Sequence, residues 1–125
     1  VGKNFLIAED NGINLDMLKE LLKEEGAACD CAKNGMAAVD LFRHSKKGQY
    51  DLIFMDVQMP DMDGYEATRA IRQMKHPDAK DIPIVAMTAN AFSNDVKAAF
   101  DCGMNAHLAK PVNIDRIKDI VANFT

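Results

Sequence analysis

Five short apolar runs, each leading into a stretch of helical periodicity, restrict this chain to very few folds. The runs are Phe5-Leu6-Ile7-Ala8, Ala27 to Ala32, Leu52-Ile53-Phe54-Met55, Ile82 to Met87, and Ala106-His107-Leu108-Ala109. Three are continuously apolar rather than alternating, the pattern of strands buried on both faces of a parallel sheet. Ala27 to Ala32 is interrupted by Asp30 and is the expected edge strand. Between the runs, Met17, Leu18, Leu21 and Leu22 form one apolar stripe, and Ala38, Leu41 and Phe42 a second. Ala67, Ala70, Ile71 and Met74 make a third, and Ile114, Ile117, Ile120, Val121 and Phe124 a fourth. Ala91 to Cys102 reads as a shorter, blander helix. Gly26 and Gly103 stand where helices should stop, and Asp63 and Asn113 where they should start. Asn-Gly pairs often mark hairpins, but Asn11-Gly12 and Asn34-Gly35 are each followed by a helical period, so both are expected to open helices. There are no internal repeats, low-complexity tracts or linkers.

Such an alternation implies an α/β doubly wound sandwich, because right-handed crossovers put helices on both faces of the sheet. Ligands of these folds bind beyond the carboxyl ends of the strands. Those ends carry Glu9-Asp10, Asp56, Thr88-Ala89 and Lys110-Pro111. Taken singly, each has an ordinary explanation: an Asp caps a helix, Lys110 is a surface charge, and Thr88 caps the helix that follows. Gathered at one edge, they make a matched set of acids, hydroxyl and cation. Three carboxylates in a small volume repel one another, and the repulsion is relieved by a held proton or a recruited cation. Oxygen ligands in a partly hydrated setting favour Mg²⁺.

Composition narrows the alternatives. At 125 residues, 48% hydrophobic and 27% charged, the chain is expected to form a single domain, 1–125. A net charge of −4, with no basic stripe, argues against direct nucleic-acid binding. No apolar run approaches the roughly 18 residues that span a bilayer, and no signal peptide is visible. Cys29, Cys31 and Cys102 form no C-x-x-C pair and read as small buried hydrophobes rather than as metal or redox groups. Reduced thiols suit a cytoplasmic protein, in which the sequon Asn123-Phe124-Thr125 is a chance match. The first residue is Val1, from which we expect a segment of a longer polypeptide or a trimmed chain.

The motifs Glu9-Asp10-Asn11, Met55-Asp56-Val57-Gln58-Met59-Pro60-Asp61-Met62-Asp63-Gly64, Met87-Thr88-Ala89 and Lys110-Pro111, in this order and spacing, resemble the response-regulator receiver family of two-component signalling. The likeness covers essentially the whole chain. The stretches Met87 to Phe92 and Gly103 to Pro111 look most like receivers of hybrid sensor histidine kinases. The resemblance implies a flavodoxin-like five-stranded parallel sheet of order 2-1-3-4-5.

It also implies that Asp56 accepts a phosphoryl group from a phosphohistidine on a histidine kinase or histidine phosphotransfer protein. Charge neutralisation and in-line positioning, more than proton transfer, carry such chemistry. Mg²⁺ is then held by Asp10 and Asp56 directly, by the Gln58 carbonyl, and through water by Glu9. Lys110, the Thr88 hydroxyl and the Ala89 N–H bind the phosphoryl oxygens, and a cis peptide before Pro111 aims Lys110. Pro60 and Gly64 frame a rigid loop beneath Asp56. Gln58 and Asn90 stand where the family tunes attack by water on the acyl phosphate. The domain would catalyse its own phosphorylation and dephosphorylation as a signalling unit rather than turn over a substrate. Phosphorylation draws Thr88 inward, and a strand-five residue, usually Tyr or Phe, follows it. Here that residue is His107, which either fills the slot with an imidazole or sits solvated on the output face. Partners of the family dock on Ala91 to Cys102, Ala106 to Ala109 and Asn113 to Phe124.

Three rivals differ in their demands. An aspartyl-phosphate hydrolase wants Asp-x-Asp with a second carboxylate as acid and base, and Gln58 cannot serve. A flavin-binding module wants a phosphate loop after the first strand, where Glu9-Asp10 would repel a phosphate. A degenerate receiver that only binds partners would not need the intact set Asp10, Asp56, Thr88 and Lys110.

Overall fold

The apolar runs become strands and the periodic stretches helices in strict alternation. A computed structural model describes residues 3–59, 62–88, 93–109 and 113–124, with the backbone alone at 93–96. In chain order the elements are β1 (Asn4–Ala8), α1 (Gly12–Glu24), β2 (Ala28–Ala32), α2 (Gly35–Arg43) and β3 (Leu52–Asp56). They are followed by α3 (Gly64–Gln73), β4 (Ile84–Thr88), α4 (Ser93–Cys102), β5 (Ala106–Ala109) and α5 (Ile114–Phe124). The strands form one parallel sheet of order β2-β1-β3-β4-β5. This is the doubly wound arrangement expected from the alternation.

Burial explains the continuous runs. All residues of β3 and β4 are buried, because helices cover the sheet on both sides. Phe5, Ile7, Phe54, Val85 and Met87 pack with Leu15, Leu18 and Leu22 of α1 and Ile117 and Ile120 of α5. On the other face, Leu6, Ile53, Met55 and Ala86 meet Ala38 and Phe42 of α2, Ala67 and Ile71 of α3, and Ala99 of α4. Each large side chain so enclosed contributes roughly 1.5–3 kcal/mol relative to exposure. Phe5 and Phe54 also meet edge to face, with ring centroids 5.7 Å apart.

Two details differ from the sequence expectation. Met17 was expected in the buried stripe of α1, but it is 48% exposed, and Leu15 packs inward instead. A strand beginning at Ile82 was expected, yet β4 starts at Ile84. Pro83 has no N–H to give a ladder, and only its carbonyl takes part, accepting from the Ile53 N–H at 2.9 Å. Asp30, the polar interruption of β2, is explained by Tyr50, whose hydroxyl donates to it at 2.8 Å.

The helix boundaries follow local chemistry. Asn11, Asn34 and Asp63 cap α1, α2 and α3, their side-chain oxygens accepting from the N–H groups of Asn14, Ala37 and Glu66. Gly26 and Gly103, with φ of 81° and 111°, lie just beyond α1 and α4. The second of these turns is moored by Arg72 of α3. Its Nε and Nη2 donate to the Gly103 carbonyl at 3.0 and 2.8 Å, its Nη1 to the Ala79 carbonyl at 3.0 Å, and Nη2 also to Asn105 Oδ1 at 2.8 Å. The same Asn105 oxygen accepts from the Ile84 N–H at 2.9 Å. Among the described residues no helix is long and apolar enough to cross a membrane.

Candidate functional site

Register brings the carboxylates together. Ala8 pairs with Met55, so Glu9 and Asp10 leave β1 beside Asp56, the last residue of β3. The Glu9 N–H extends the ladder by donating to the Ala32 carbonyl at 3.0 Å. One carboxylate oxygen each from Glu9, Asp10 and Asp56 lie within 4.8 Å of one another. Glu9 and Asp56 are each only 2% exposed, whereas Asp10 faces solvent. At such a separation two buried carboxylates repel by roughly 3 kcal/mol, before any counter-charge, for an effective dielectric of about 20. A hard divalent cation fits this set of oxygen donors, with the exposed side left for water.

Asp56 is held from beneath. The Gln58 N–H donates to its Oδ1 at 3.0 Å, and the Val57 N–H donates to the Met87 carbonyl at 3.1 Å. Gly64 donates to the Val57 carbonyl at 3.1 Å and lies so near β3 that a Cβ there would stand 2.8 Å from Val57 Cα and 3.0 Å from the Asp56 carbonyl carbon. Only a residue without a side chain permits that approach. The cleft above is lined by Asp10, Val57, Gln58, Met59, Asp63 and Tyr65.

Thr88 ends β4, 5% exposed, and pairs in register with Ala109. His107 is half-buried on β5, opposite Ala86. Ala86 packs on the α2–α3–α4 side, and strand alternation puts Thr88 and His107 on that same side, one rung apart. The expected phosphate-binding residues Ala89 and Lys110, together with Pro60, Asn90 and Pro111, lie outside the described residues.

Ile13 was not singled out by the sequence pattern, although it stands 75% exposed three residues after Asp10. Met17, one helical turn further along α1, is exposed as well. The signal was present in the period of α1, where Leu15, Leu18 and Leu22 already account for the buried face. The thiols take no part in this cluster. Burial, reinforced by the neighbouring Cys31, pushes the Cys29 thiol up to about 11, and burial raises Cys31 and Cys102 as well.

The family model for the response regulator receiver domain matches residues 5–122. A probable histidine kinase 2 of Oryza sativa is 39% identical over 96% of this chain, which spans 12% of that kinase. Hybrid signal transduction histidine kinase B of Dictyostelium discoideum is 41% identical over 92% of the chain, which spans 6% of that protein. Among solved structures, the receiver domain of a sensor histidine kinase from Pseudomonas aeruginosa superposes with a TM-score of 0.88 at 33% identity. The match covers 99% of this chain and 98% of that one, and that crystal holds a magnesium ion coordinated in the active site cleft. A Saccharomyces cerevisiae receiver domain, co-crystallised with a histidine phosphotransfer signalling protein, gives 0.85 at 33% identity, covering 98% of this chain and 88% of its own. A match this complete, on a fold with acidic residues from two strand ends in contact range, makes the chain a member of the response regulator receiver domain family.

Proposed function

We propose that this receiver takes a phosphoryl group onto Asp56 from a phosphohistidine. The observation that carries the reading is the convergence of Glu9, Asp10 and a buried Asp56 within 4.8 Å at the carboxyl edge of the sheet. Asp10 and Asp56 would hold Mg²⁺ directly, with the Gln58 carbonyl, and Glu9 would act through water. When bound there, Mg²⁺ supplies positive charge against the carboxylates and the incoming phosphoryl oxygens.

An Asp56 carboxylate oxygen attacks phosphorus. The new O–P bond forms as the N–P bond of the phosphohistidine breaks, and the electron pair returns to the donor imidazole. The Gln58 N–H fixes the carboxylate through Oδ1. The Thr88 hydroxyl, the Ala89 N–H and Lys110 bind the phosphoryl oxygens. Thr88 and His107, one rung apart on the same side of the sheet, then carry the change toward α4, β5 and α5. Gln58 in place of a second carboxylate disfavours a hydrolase. The partner is a histidine kinase or histidine phosphotransfer protein, on the same polypeptide or a separate one. We place the domain in the cytoplasm, where its free thiols stay reduced.

Incubation with acetyl phosphate and Mg²⁺ should add one phosphoryl group to the intact mass, and Asp56→Asn should stay unmodified. A wild-type chain left unmodified by both acetyl phosphate and a phosphorylated histidine phosphotransfer protein overturns the reading.

A further inference from the structure

Gly35 opens α2 in a place where a side chain has no room. It is buried, and a Cβ there would run into the Met62 carbonyl oxygen, with the Met62 carbonyl carbon at 3.1 Å and Cγ at 3.0 Å. Its backbone is not in the left-handed region, so volume alone, not conformation, requires glycine. Met62 leads directly into Asp63, which caps α3, and Gly64, which rests on the backbone of Asp56 and Val57. A column of backbone contacts thus runs from the start of α2, through Met62, to the end of β3. Around it Ala38 and Phe42 of α2 pack with Ala67 and Ile71 of α3, so neither helix can easily retreat.

We propose that Gly35 is a positioning residue for the phosphoacceptor site: its bare Cα lets α2 abut Met62 and so holds Met62, Asp63 and Gly64 against the strand end that presents Asp56 and Gln58. The inference rests on the functional reading above. An added methyl displaces Met62 toward β3 or lifts the start of α2, and either movement alters the placement of the Gln58 N–H that orders Asp56 Oδ1. Gly12 supplies a matched control. It follows Asn11 as Gly35 follows Asn34, opens a helix in the same way, and has nothing within 4 Å of where a Cβ would stand.

The test measures Mg²⁺ binding by calorimetry on the full chain, together with amide resonances of the metal-free protein. Gly35→Ala should weaken Mg²⁺ binding by about tenfold, as removal of outer support does at other metal sites, and should move the Asp56, Gln58, Asp63 and Gly64 resonances. Gly12→Ala should bind within about twofold of wild type, in keeping with its open surroundings, and move resonances only within α1. Wild-type affinity in Gly35→Ala, or shifts confined to α2, would overturn the proposal even if thermal stability fell. Should Gly35→Ala fail to fold, Asn34→Ala loosens the same helix start without adding atoms and must weaken Mg²⁺ binding too; wild-type affinity there also overturns it. If the wild-type chain itself binds no Mg²⁺, the functional reading falls, while the metal-free resonances still decide whether Gly35 positions the strand end.

Discussion

The start of α1 and the starts of α2 and α3 are built from the same chemistry and sit in different surroundings. Each helix opens with a capping Asn or Asp followed by glycine: Asn11-Gly12, Asn34-Gly35 and Asp63-Gly64. Each cap accepts from an N–H three residues on, at 3.0, 2.7 and 2.9 Å. Gly12 then faces open space, whereas Gly35 and Gly64 are pressed against the backbone of another segment. Capping therefore explains all three side-chain oxygens and none of the glycines. Of these three helix starts, a bare Cα is required at the two that pack together beside the end of β3.

Four substitutions would break or sharpen this contrast beyond the Gly35 and Gly12 pair. The largest effect is expected at Gly64, where the neighbouring atoms are β3 backbone that cannot yield. Gly64→Ala should destabilise by about 3 kcal/mol, the upper range for overpacking, seen as a lower urea midpoint. A midpoint equal to wild type would dissolve the distinction between crowded and open helix starts. Next come the caps themselves. Asn11→Ala and Asn34→Ala should each cost about 1 kcal/mol, because the hydrogen bonds they lose are alike. A clearly unequal cost in urea unfolding would mean that the caps, not the glycines, set the two starts apart. The smallest effect belongs to Thr68, one turn beyond Gly64. It is fully buried, and its hydroxyl oxygen has no hydrogen-bond partner among the described residues. Thr68→Val should raise stability by about 0.5–1 kcal/mol by removing a buried polar group that gains nothing. A loss in the thermal unfolding midpoint would show that the close seat of α3 depends on that oxygen.

Much of the architecture is legible in the chain because its causes are local. Continuous apolar runs such as Leu52 to Met55 report burial on two faces, and Asn or Asp before a helical period reports a start. The acidic residues of the site are legible for a related reason: parallel strands of similar length end at one edge, so Glu9, Asp10 and Asp56 must be neighbours once the order is set. What the chain conceals depends on partners distant in sequence. Gly12 and Gly35 look alike because the Met62 backbone that separates them lies 27 residues beyond Gly35. Met17 read as buried because the stripe of α1 is wide enough to be drawn one position off, and only packing on β1 and β3 selects Leu15. Ile82 read as strand because apolar character does not reveal that Pro83 lacks a donor at the sheet margin.

Arg72 has a mechanical consequence for the far edge of the sheet. Its guanidinium ties α3 to the turn that feeds β5, and Asn105 passes the tie on to the first residue of β4. The entrance of the edge strand is therefore tethered, while at its other end Ala109 pairs in register with Thr88. One guanidinium thus pins three elements, α3, the start of β4 and the entrance of β5, at a common point on the outer rim of the domain.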